Sequence, residues 1–166
     1  MRVATWRNLF PFYKKTAFWL NGMEKEILKI EDAITQNGIY VGPTVGMSMY
    51  PMLKNRRDTI IVRPKTERLK RLEVALYKRG KSYIMHRVIE VLKDGYLIRG
   101  DNCYYDEIVA EEDVIGILTE FYRKDKHYLC TDTKYIRYAK KRVKRYKIRL
   151  FFYKVKRKIR RILKRK

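Results

Sequence analysis

Hydrophobic and polar positions change their spacing several times along the chain, and each spacing predicts a different element. Ile27, Ile30 and Ile34 follow helical spacing, which predicts a helix over residues 23–36 that ends at the pair Asn37-Gly38. Short runs rich in β-branched and aromatic residues then predict strands. These runs cover residues 39–41, 58–62, 74–77, 82–91, 96–99 and 114–119. The pattern predicts a mainly β fold of the α+β class, with a helix before the β core.

A second helical pattern occupies the C-terminal part of the chain. Apolar residues recur there at intervals of three and four, which is the spacing of an amphipathic helix. They are Ile136, Ala139, Val143, Tyr146, Leu150 and Tyr153 and, after a shift of one residue, Val155, Ile159 and Ile162. We therefore predict one long helix over residues 134–166.

The chain divides into four predicted segments. All eight glycines lie at or before Gly116 and all four prolines at or before Pro64, so turn-forming residues are confined to the front of the chain. We predict an N-terminal arm and helix over residues 1–38 and a β domain over residues 39–122. A linker over residues 123–133 and the C-terminal helix over residues 134–166 complete the prediction.

The C-terminal segment carries most of the excess positive charge. The chain has 41 Lys+Arg and 18 Asp+Glu, for a formal net charge of +23. Residues 134–166 contain 18 of these basic residues and no acidic residue, which leaves a net charge of +5 for the rest of the chain. Because such a surface attracts anions, we expect it to bind an anionic membrane or nucleic acid. The candidate contacts are Lys140, Lys141, Lys144, Arg145, Lys156, Arg157, Arg160 and Arg161.

Composition excludes several classes of protein. Two cysteines without a CxxC pair and two histidines exclude a disulfide-dense scaffold, a zinc ribbon and a multi-histidine metal site. We expect no metal ion and no cofactor. The 21 uncharged residues from position 33 to position 53 include three glycines and two prolines, which favours turns and strand over a membrane-spanning helix. We therefore expect no transmembrane span.

The segment around Ser48 contains a candidate nucleophile. Ser48 lies between Met47 and Met49, after Gly46 and before Pro51, where glycine permits a tight backbone path and proline fixes the exit. Such a bend can present the hydroxyl at the end of a strand. The backbone N–H groups of Met47 and Ser48 would then bind an oxyanion. Taken alone, a serine in a Gly/Pro loop is more often an ordinary turn residue.

Two further positions supply a candidate base and a candidate acid. His86 shares one face of a predicted strand with Ile84 and Val88, and a neutral histidine is the usual base for a serine nucleophile near pH 7. The turn Lys93-Asp94-Gly95 predicts that this strand pairs with the next one, which would bring Asp101 near the level of residues 83–84. An acid there could hold the imidazole tautomer. A core histidine and a turn-forming aspartate are the competing interpretations.

Several ordered sequence boxes resemble the signal peptidase I / LexA-like serine peptidase superfamily. They are GMSMYPML around Ser48, DTIIV, VALY, YIMHRVIEV, DGYLIRGDN and VIGIL, and they span about residues 39–122. Bacterial signal peptidase I and LexA-type repressors have Lys at the position of His86. The endoplasmic-reticulum and archaeal signal peptidases have His followed by Arg there, and a GDN box, and this chain is similar to that branch. The resemblance implies a LexA/signal-peptidase-like coiled antiparallel β core with Ser48 as nucleophile, His86 as base and Asp101 as acid.

The sequence departs from the family pattern at three points. Gly46 stands where many signal peptidases have a serine that helps to bind the oxyanion, so we expect an oxyanion hole made of backbone N–H groups. Leu72-Glu73 replaces a Gly-Asp pair before the VALY strand, which we interpret as a change of turn. We also expect no N-terminal membrane anchor. Because some relatives use a second acid about six residues after GDN, Asp106 and Glu107 are alternative acids.

Two functions of different classes follow from these observations. The first is a serine endopeptidase that cleaves signal- or leader-peptide-like segments of a membrane-associated or secreted precursor. The second is a non-enzymatic, repressor-like module whose basic helix binds DNA or anionic membrane. Residues 1–38 are short for a helix-turn-helix domain, and no Ala-Gly or Cys-Gly bond is present as a self-cleavage site, which weakens the self-cleaving, LexA-type variant of the second function. Since the family acts on membrane-linked substrates, we favour an anionic membrane over nucleic acid as the partner of the basic helix. Because no anchor or export signal is evident, we expect a peripheral location on the cytoplasmic side of that membrane.

Overall fold

One curled antiparallel sheet flanked by helices makes up residues 30–163, the part of the chain that the computed structural model describes. The helices are α1 (Ile30–Asn37), α2 (Thr133–Lys144) and α3 (Tyr146–Leu163). The strands are β1 (Tyr40–Pro43), β2 (Asp58–Pro64), β3 (Val74–Arg79), β4 (Ser82–Leu92), β5 (Gly95–Arg99), β6 (Glu107–Ala110), β7 (Val114–Arg123) and β8 (Lys126–Leu129). A single 3-10 turn (Glu111–Asp113) precedes β7. The predicted α+β class, with an antiparallel β core between helices, is confirmed.

The strands follow the order β1-β2-β7-β3-β4-β5-β6, and β8 pairs with β7 outside this path. Every pairing is antiparallel. The predicted β4–β5 hairpin is present, and its register shifts between Val88 and Glu90. This bulge brings Arg87 opposite Arg99. One residue further along each chain segment, Gly100 is therefore level with His86. The predicted level of Asp101 is therefore displaced toward Met85.

Each face of the sheet contributes to its own hydrophobic core, because neighbouring residues of a strand point to opposite faces. Buried side chains on one face pack against the loop after β1 and against α2. They include Val62, Leu76, Leu118 and Phe121 from the sheet, Met49 and Met52 from the loop, and Tyr135 from α2. The buried side chains of the other face include Ala75, Tyr77, Val88, Ile98 and Val109. The alternation places His86 on this second face, with Val88.

The C-terminal region differs from its prediction in two ways. The single helix predicted over residues 134–166 is two helices, α2 and α3, which meet at Arg145. The segment predicted as a linker, residues 123–133, contains strand β8, which pairs with β7. Strands β6 (Glu107–Ala110) and β8 (Lys126–Leu129) were not predicted. The predicted arm over residues 1–22 and the first part of the predicted N-terminal helix lie outside the described residues.

None of the helices in residues 30–163 combines the length and the apolar composition that crossing a bilayer requires. The longest, α3, has 18 residues and contains eight Lys or Arg side chains.

Candidate active site

Ser48 and His86 line the same cleft. Ser48 lies in the loop between β1 and β2 and is partly exposed, whereas His86 lies in β4 and its side chain is 3% exposed. The cleft has a volume of about 320 Å³, and its walls are largely apolar, with contributions from Val45, Met49 and Tyr83. The structure therefore brings the predicted nucleophile and the predicted base to one cavity, although 38 positions separate them in sequence.

The loop that carries Ser48 is held at both ends. Gly46 has a φ angle of +91°, a conformation that strongly favours glycine, and its N–H donates to the Asn55 side-chain oxygen at 3.0 Å. The carbonyl oxygen of Ser48 accepts a hydrogen bond from the Asn102 N–H at 2.6 Å. This second bond ties the nucleophile loop to the loop that follows β5.

Gly100 separates the Ser48 loop from the imidazole. A methyl group added at Gly100 would lie 2.8 Å from the Ser48 carbonyl oxygen and 2.9 Å from His86 Nε2. The Ser48 carbonyl oxygen and His86 Nε2 are therefore separated by no more than about twice 2.9 Å. Only a residue without a side chain leaves this space open, so Gly100 is part of the site that the sequence did not identify.

The Ser48 hydroxyl makes no hydrogen bond to His86 among the described residues. The side chain in contact with His86 Nε2 is Cys103, whose sulfur is 4.0 Å away. Burial raises the pKa of the Cys103 thiol, which keeps it protonated near neutral pH. A neutral thiol beside Nε2 leaves the imidazole available to another hydroxyl, and proton-transfer contacts of this kind often tighten only when substrate binds.

The backbone N–H groups of Met47 and Ser48 are available as oxyanion donors. Within residues 30–163 neither of them donates a hydrogen bond. By contrast, the N–H of Tyr50 donates to the Met47 carbonyl oxygen at 3.1 Å. Free N–H groups beside a nucleophile are the donors that an oxyanion hole requires.

The other ring nitrogen of His86 contacts a polar relay. Tyr77 lies on β3 two residues from Ala75, which pairs with His86, and the Tyr77 hydroxyl is 3.1 Å from His86 Nδ1. The same hydroxyl donates to Glu107 Oε2 at 2.9 Å. Because a phenol has one proton, the Tyr77 oxygen must accept from Nδ1–H while it donates to Glu107. Nδ1 then carries the imidazole proton and Nε2 is free to accept one.

Glu107 adds a negative charge to this relay. Its Oε2 also accepts from Arg79 at 2.8 Å. Its Oε1 lies 3.5 Å from His86 Nδ1 and is buried without a hydrogen-bond partner among the described atoms. An imidazolium formed at His86 would have this carboxylate oxygen as its counter-ion.

Burial sets the protonation state of His86. Removal of water lowers the pKa of the imidazole below its ordinary value, and the charge of Glu107 opposes this effect without reversing it. His86 is therefore neutral at pH 7, which is the form a general base requires.

Asp101 does not occupy the position expected of the acid. Its two carboxylate oxygens accept from Arg87 at 2.8 Å each, and one of them also accepts from Tyr138 at 3.0 Å. Arg87 is fully buried and donates in addition to Tyr135 in α2. The pair of Arg87 and Asp101 thus fixes α2 to the sheet, and the carboxylate in contact with His86 is Glu107. Asp106, the other alternative acid, pairs with Arg99.

Tyr77, Arg79 and Cys103 were missed by the sequence analysis. Pairing of the VALY and YIMHR segments through the turn at Gly80 could have indicated Tyr77, because that register places it diagonally across from His86. No such register argument identifies Cys103 or Arg79. The contact of Cys103 with His86 depends on the loop after β5, and the contact of Arg79 with Glu107 depends on the location of β6. The eight basic residues predicted as anion contacts are all exposed.

Neither a scan of protein-family models nor a search of the curated proteins finds a match to this chain. The indication of function is that Ser48 and His86 line one cleft, while Tyr77 and Glu107 hold the imidazole from its other nitrogen.

Proposed function

We propose that the protein is a serine endopeptidase in which Ser48 is the nucleophile and His86 the general base. One observation carries the proposal. The Nδ1 contact with Tyr77 and Glu107 leaves the unprotonated Nε2 directed at the cleft beside the Ser48 loop. This is the tautomer that can remove a hydroxyl proton.

Ser48, His86 and two backbone N–H groups can together carry out every step of peptide hydrolysis. The Ser48 oxygen attacks the scissile carbonyl carbon while its proton passes to His86 Nε2, and the oxyanion is bound by the N–H groups of Met47 and Ser48. The imidazolium, stabilised by Glu107, then gives its proton to the leaving amine. Water attacks the acyl ester by the same route, with His86 again as base, and releases the carboxylic acid and the Ser48 hydroxyl.

The substrate is an extended peptide. Strand β1 is an edge of the sheet formed by the described strands, and it runs into the Ser48 loop. Strand β4 pairs with β5 only from Arg87 onward, so residues 82–86 have no described strand on that side. A peptide backbone between these two free edges would gain main-chain hydrogen bonds and place its side chains in the apolar cleft.

The resemblance to signal peptidases suggests the class of substrate. A signal- or leader-peptide-like segment of a membrane-associated or secreted precursor is extended near its cleavage point and has apolar residues before it, which suits the largely apolar walls of the cleft. We place the cleavage at a membrane surface, on its cytoplasmic side.

A fluorophosphonate probe tests the nucleophile, because it reacts with an activated serine. We expect the wild type to be labelled and Ser48→Ala to be unlabelled and inactive on a leader peptide, with a loss of turnover of at least about 10⁴-fold. Cys103→Ala is the matched control, since it removes the other nucleophile near His86 and should retain labelling and turnover. Equal labelling of Ser48→Ala and wild type would overturn the assignment, and loss of turnover in Cys103→Ala with turnover retained in Ser48→Ala would identify the thiol as the nucleophile.

A second candidate is a non-enzymatic binding module with a peptidase-like cleft. The observation that favours it is the contact of His86 Nε2 with Cys103 and not with the Ser48 hydroxyl. Such a module would bind the same peptides without turnover. Retention of peptide binding by a wild-type protein that shows neither labelling nor cleavage would establish this candidate.

A further inference from the structure

Helix α3 has two apolar faces, and only one of them is packed against the rest of the protein. Tyr146 and Tyr153 lie on the packed face, where the Tyr146 hydroxyl donates to the Tyr104 carbonyl at 2.9 Å and the Tyr153 ring stacks on the Tyr104 ring at 4.1 Å. Leu150 lies on the same side as these two tyrosines, and the other apolar residues fall within a band about 120° wide on the opposite side of the helix. This band, the outer stripe, consists of Ile148, Phe151, Phe152, Val155, Ile159, Ile162 and Leu163. Its side chains are 39% to 69% exposed.

The outer stripe changes the interpretation of the sequence pattern. The apolar positions before and after the apparent one-residue shift belong to opposite faces of α3, because Leu150 and Tyr153 lie more than a quarter turn from Val155 and Ile159. In the part of the first series that lies in α3, Tyr146 and Tyr153 contact Tyr104 in the loop after β5. The second series lies within the outer stripe, whose side chains are exposed.

Positive charges border the outer stripe on both sides. Helix α3 contains eight Lys or Arg and no acidic residue. Lys147, Lys154 and Lys158 fall on one side of the stripe, and Arg149, Lys156 and Arg160 on the other. Long basic side chains can extend from these positions toward phosphate groups while the stripe is buried in apolar material.

We propose that the outer stripe of α3 lies in the surface of an anionic lipid bilayer, with its aromatic and aliphatic side chains in the acyl region and its basic side chains among the headgroups. This inference does not depend on the peptidase proposal. A second copy of the chain would bring two strongly positive helices together, and nucleic acid would leave Phe151 and Phe152 without an apolar environment. An anionic membrane satisfies both the charge and the apolar stripe.

The same helix holds the loop that borders the active-site cleft. Arg99, at the end of β5, lies 3.3 Å from the centre of the Tyr146 ring, and Tyr104 is held by Tyr153. That loop contains Gly100, Asn102 and Cys103, which contact His86 or Ser48. A helix bound to a bilayer therefore places the cleft at a fixed distance from the lipid surface.

Vesicle cosedimentation of the full chain tests the proposal. We expect binding to vesicles that contain about 30% phosphatidylglycerol, no binding to phosphatidylcholine alone, and weaker binding as sodium chloride rises above about 0.1 M. The stripe variant Phe151→Ser with Phe152→Ser should bind at least about tenfold more weakly while all basic residues remain. The matched control Val91→Ser with Ile108→Ser removes two exposed apolar side chains from the sheet and should bind like the wild type.

Three results would overturn the proposal. Equal binding of the stripe variant and the wild type would show that charge alone acts. Dimerisation of the wild type that Phe151→Ser with Phe152→Ser abolishes would assign the stripe to a second copy. Tight binding of a DNA duplex without binding to anionic vesicles would assign the charge to nucleic acid. Far-UV circular dichroism shows whether each variant keeps the helix.

Discussion

Tyr77 and Glu107 determine which nitrogen of His86 can act. The Tyr77 hydroxyl is the group through which the carboxylate fixes the imidazole proton on Nδ1, and Glu107 Oε1 is close enough to stabilise the imidazolium directly. Neither residue is expected to contact the peptide in the mechanism above. They are positioning residues, and their effect should appear in kcat and in the pH profile more than in KM.

Replacement of the carboxylate provides the sharpest residue-level prediction. We expect Glu107→Gln to lower kcat by about 10²-fold with little change in KM, because the imidazolium loses its counter-ion. The charge of Glu107 raises the pKa of His86, so its removal should lower that pKa further. Activity requires neutral His86 and is lost as the pH falls through this pKa. The acidic limb of the kcat profile should therefore move to lower pH in the variant.

Tyr77→Phe is the companion variant for this experiment. It keeps the Glu107 charge but removes the acceptor for Nδ1–H, so we expect lower kcat with a smaller displacement of the acidic limb. If these variants keep the kcat of the wild type and the acidic limb of its pH profile, Tyr77 and Glu107 do not position His86 as proposed.

Asp101 should act on stability and not on catalysis. Asp101→Ala leaves the buried Arg87 without its counter-ion, which costs about 3–5 kcal/mol of unfolding free energy. The double variant Arg87→Met with Asp101→Ala should lose less than the two single variants together, because neither charge is then left unpaired. Urea denaturation measures both effects. A stable Asp101→Ala protein whose kcat falls as far as that of Glu107→Gln would return Asp101 to the role of the acid.

Much of the site was predictable from the sequence, but its contacts were not. Ser48 and His86 stand in patterns that indicate a nucleophile and a base, and both line the cleft. The acid could not be chosen, because one extra residue at the β4–β5 bulge decides whether Gly100 or Asp101 faces His86. Glu107 was only an alternative, since its contact with Tyr77 depends on a four-residue strand that periodicity does not reveal.

At the level of elements, strands that contain runs of β-branched or aromatic residues were predicted, and β6 and β8 were missed. Strands β2, β3, β4, β5 and β7 were expected within a few residues of their bounds, because each contains several β-branched or aromatic residues. β8 was missed because Lys126-His127 interrupts its apolar character. The sequence could not separate α2 from α3 either, since Arg145 departs from helical geometry without a glycine or a proline.

Helices α2 and α3 should differ in their importance for folding. Deletion of residues 146–166 removes side chains that are mostly exposed, so we expect cooperative unfolding and a fall in Tm of only a few degrees. Amide exchange in residues 101–106 should nevertheless increase, because the contacts of Tyr146 and Tyr153 with Tyr104 are lost.

The matched control deletes residues 133–166 and so removes α2 as well. Tyr135 and Tyr138 then no longer cover the pair of Arg87 and Asp101, and we expect loss of cooperative unfolding by calorimetry. A deletion of residues 133–166 that unfolds like the shorter deletion would show that α2 is peripheral to the core.

At the scale of the whole molecule, the candidate active site and the basic, apolar surface belong to different parts of the chain. The curled sheet, with its two cores, holds the buried His86 and the partly exposed Ser48 in fixed positions. Helix α3 adds positive charge and an apolar surface that the sheet does not need for its own packing. Helix α2 connects the two parts, because Arg142 donates to the carbonyl oxygens of Asp101 and Tyr50.

The concentration of cations in α3 also gives the protein a large electric dipole. In the field near a negatively charged surface, which extends about 10 Å at 0.1 M salt, a dipole experiences a torque before any contact is made. The molecule would rotate until α3 leads, and the stacked rings of Tyr104 and Tyr153 would carry the cleft through the same rotation. The face of the protein that meets the surface, and with it the side from which a precursor held there meets the cleft, would then be selected during diffusion.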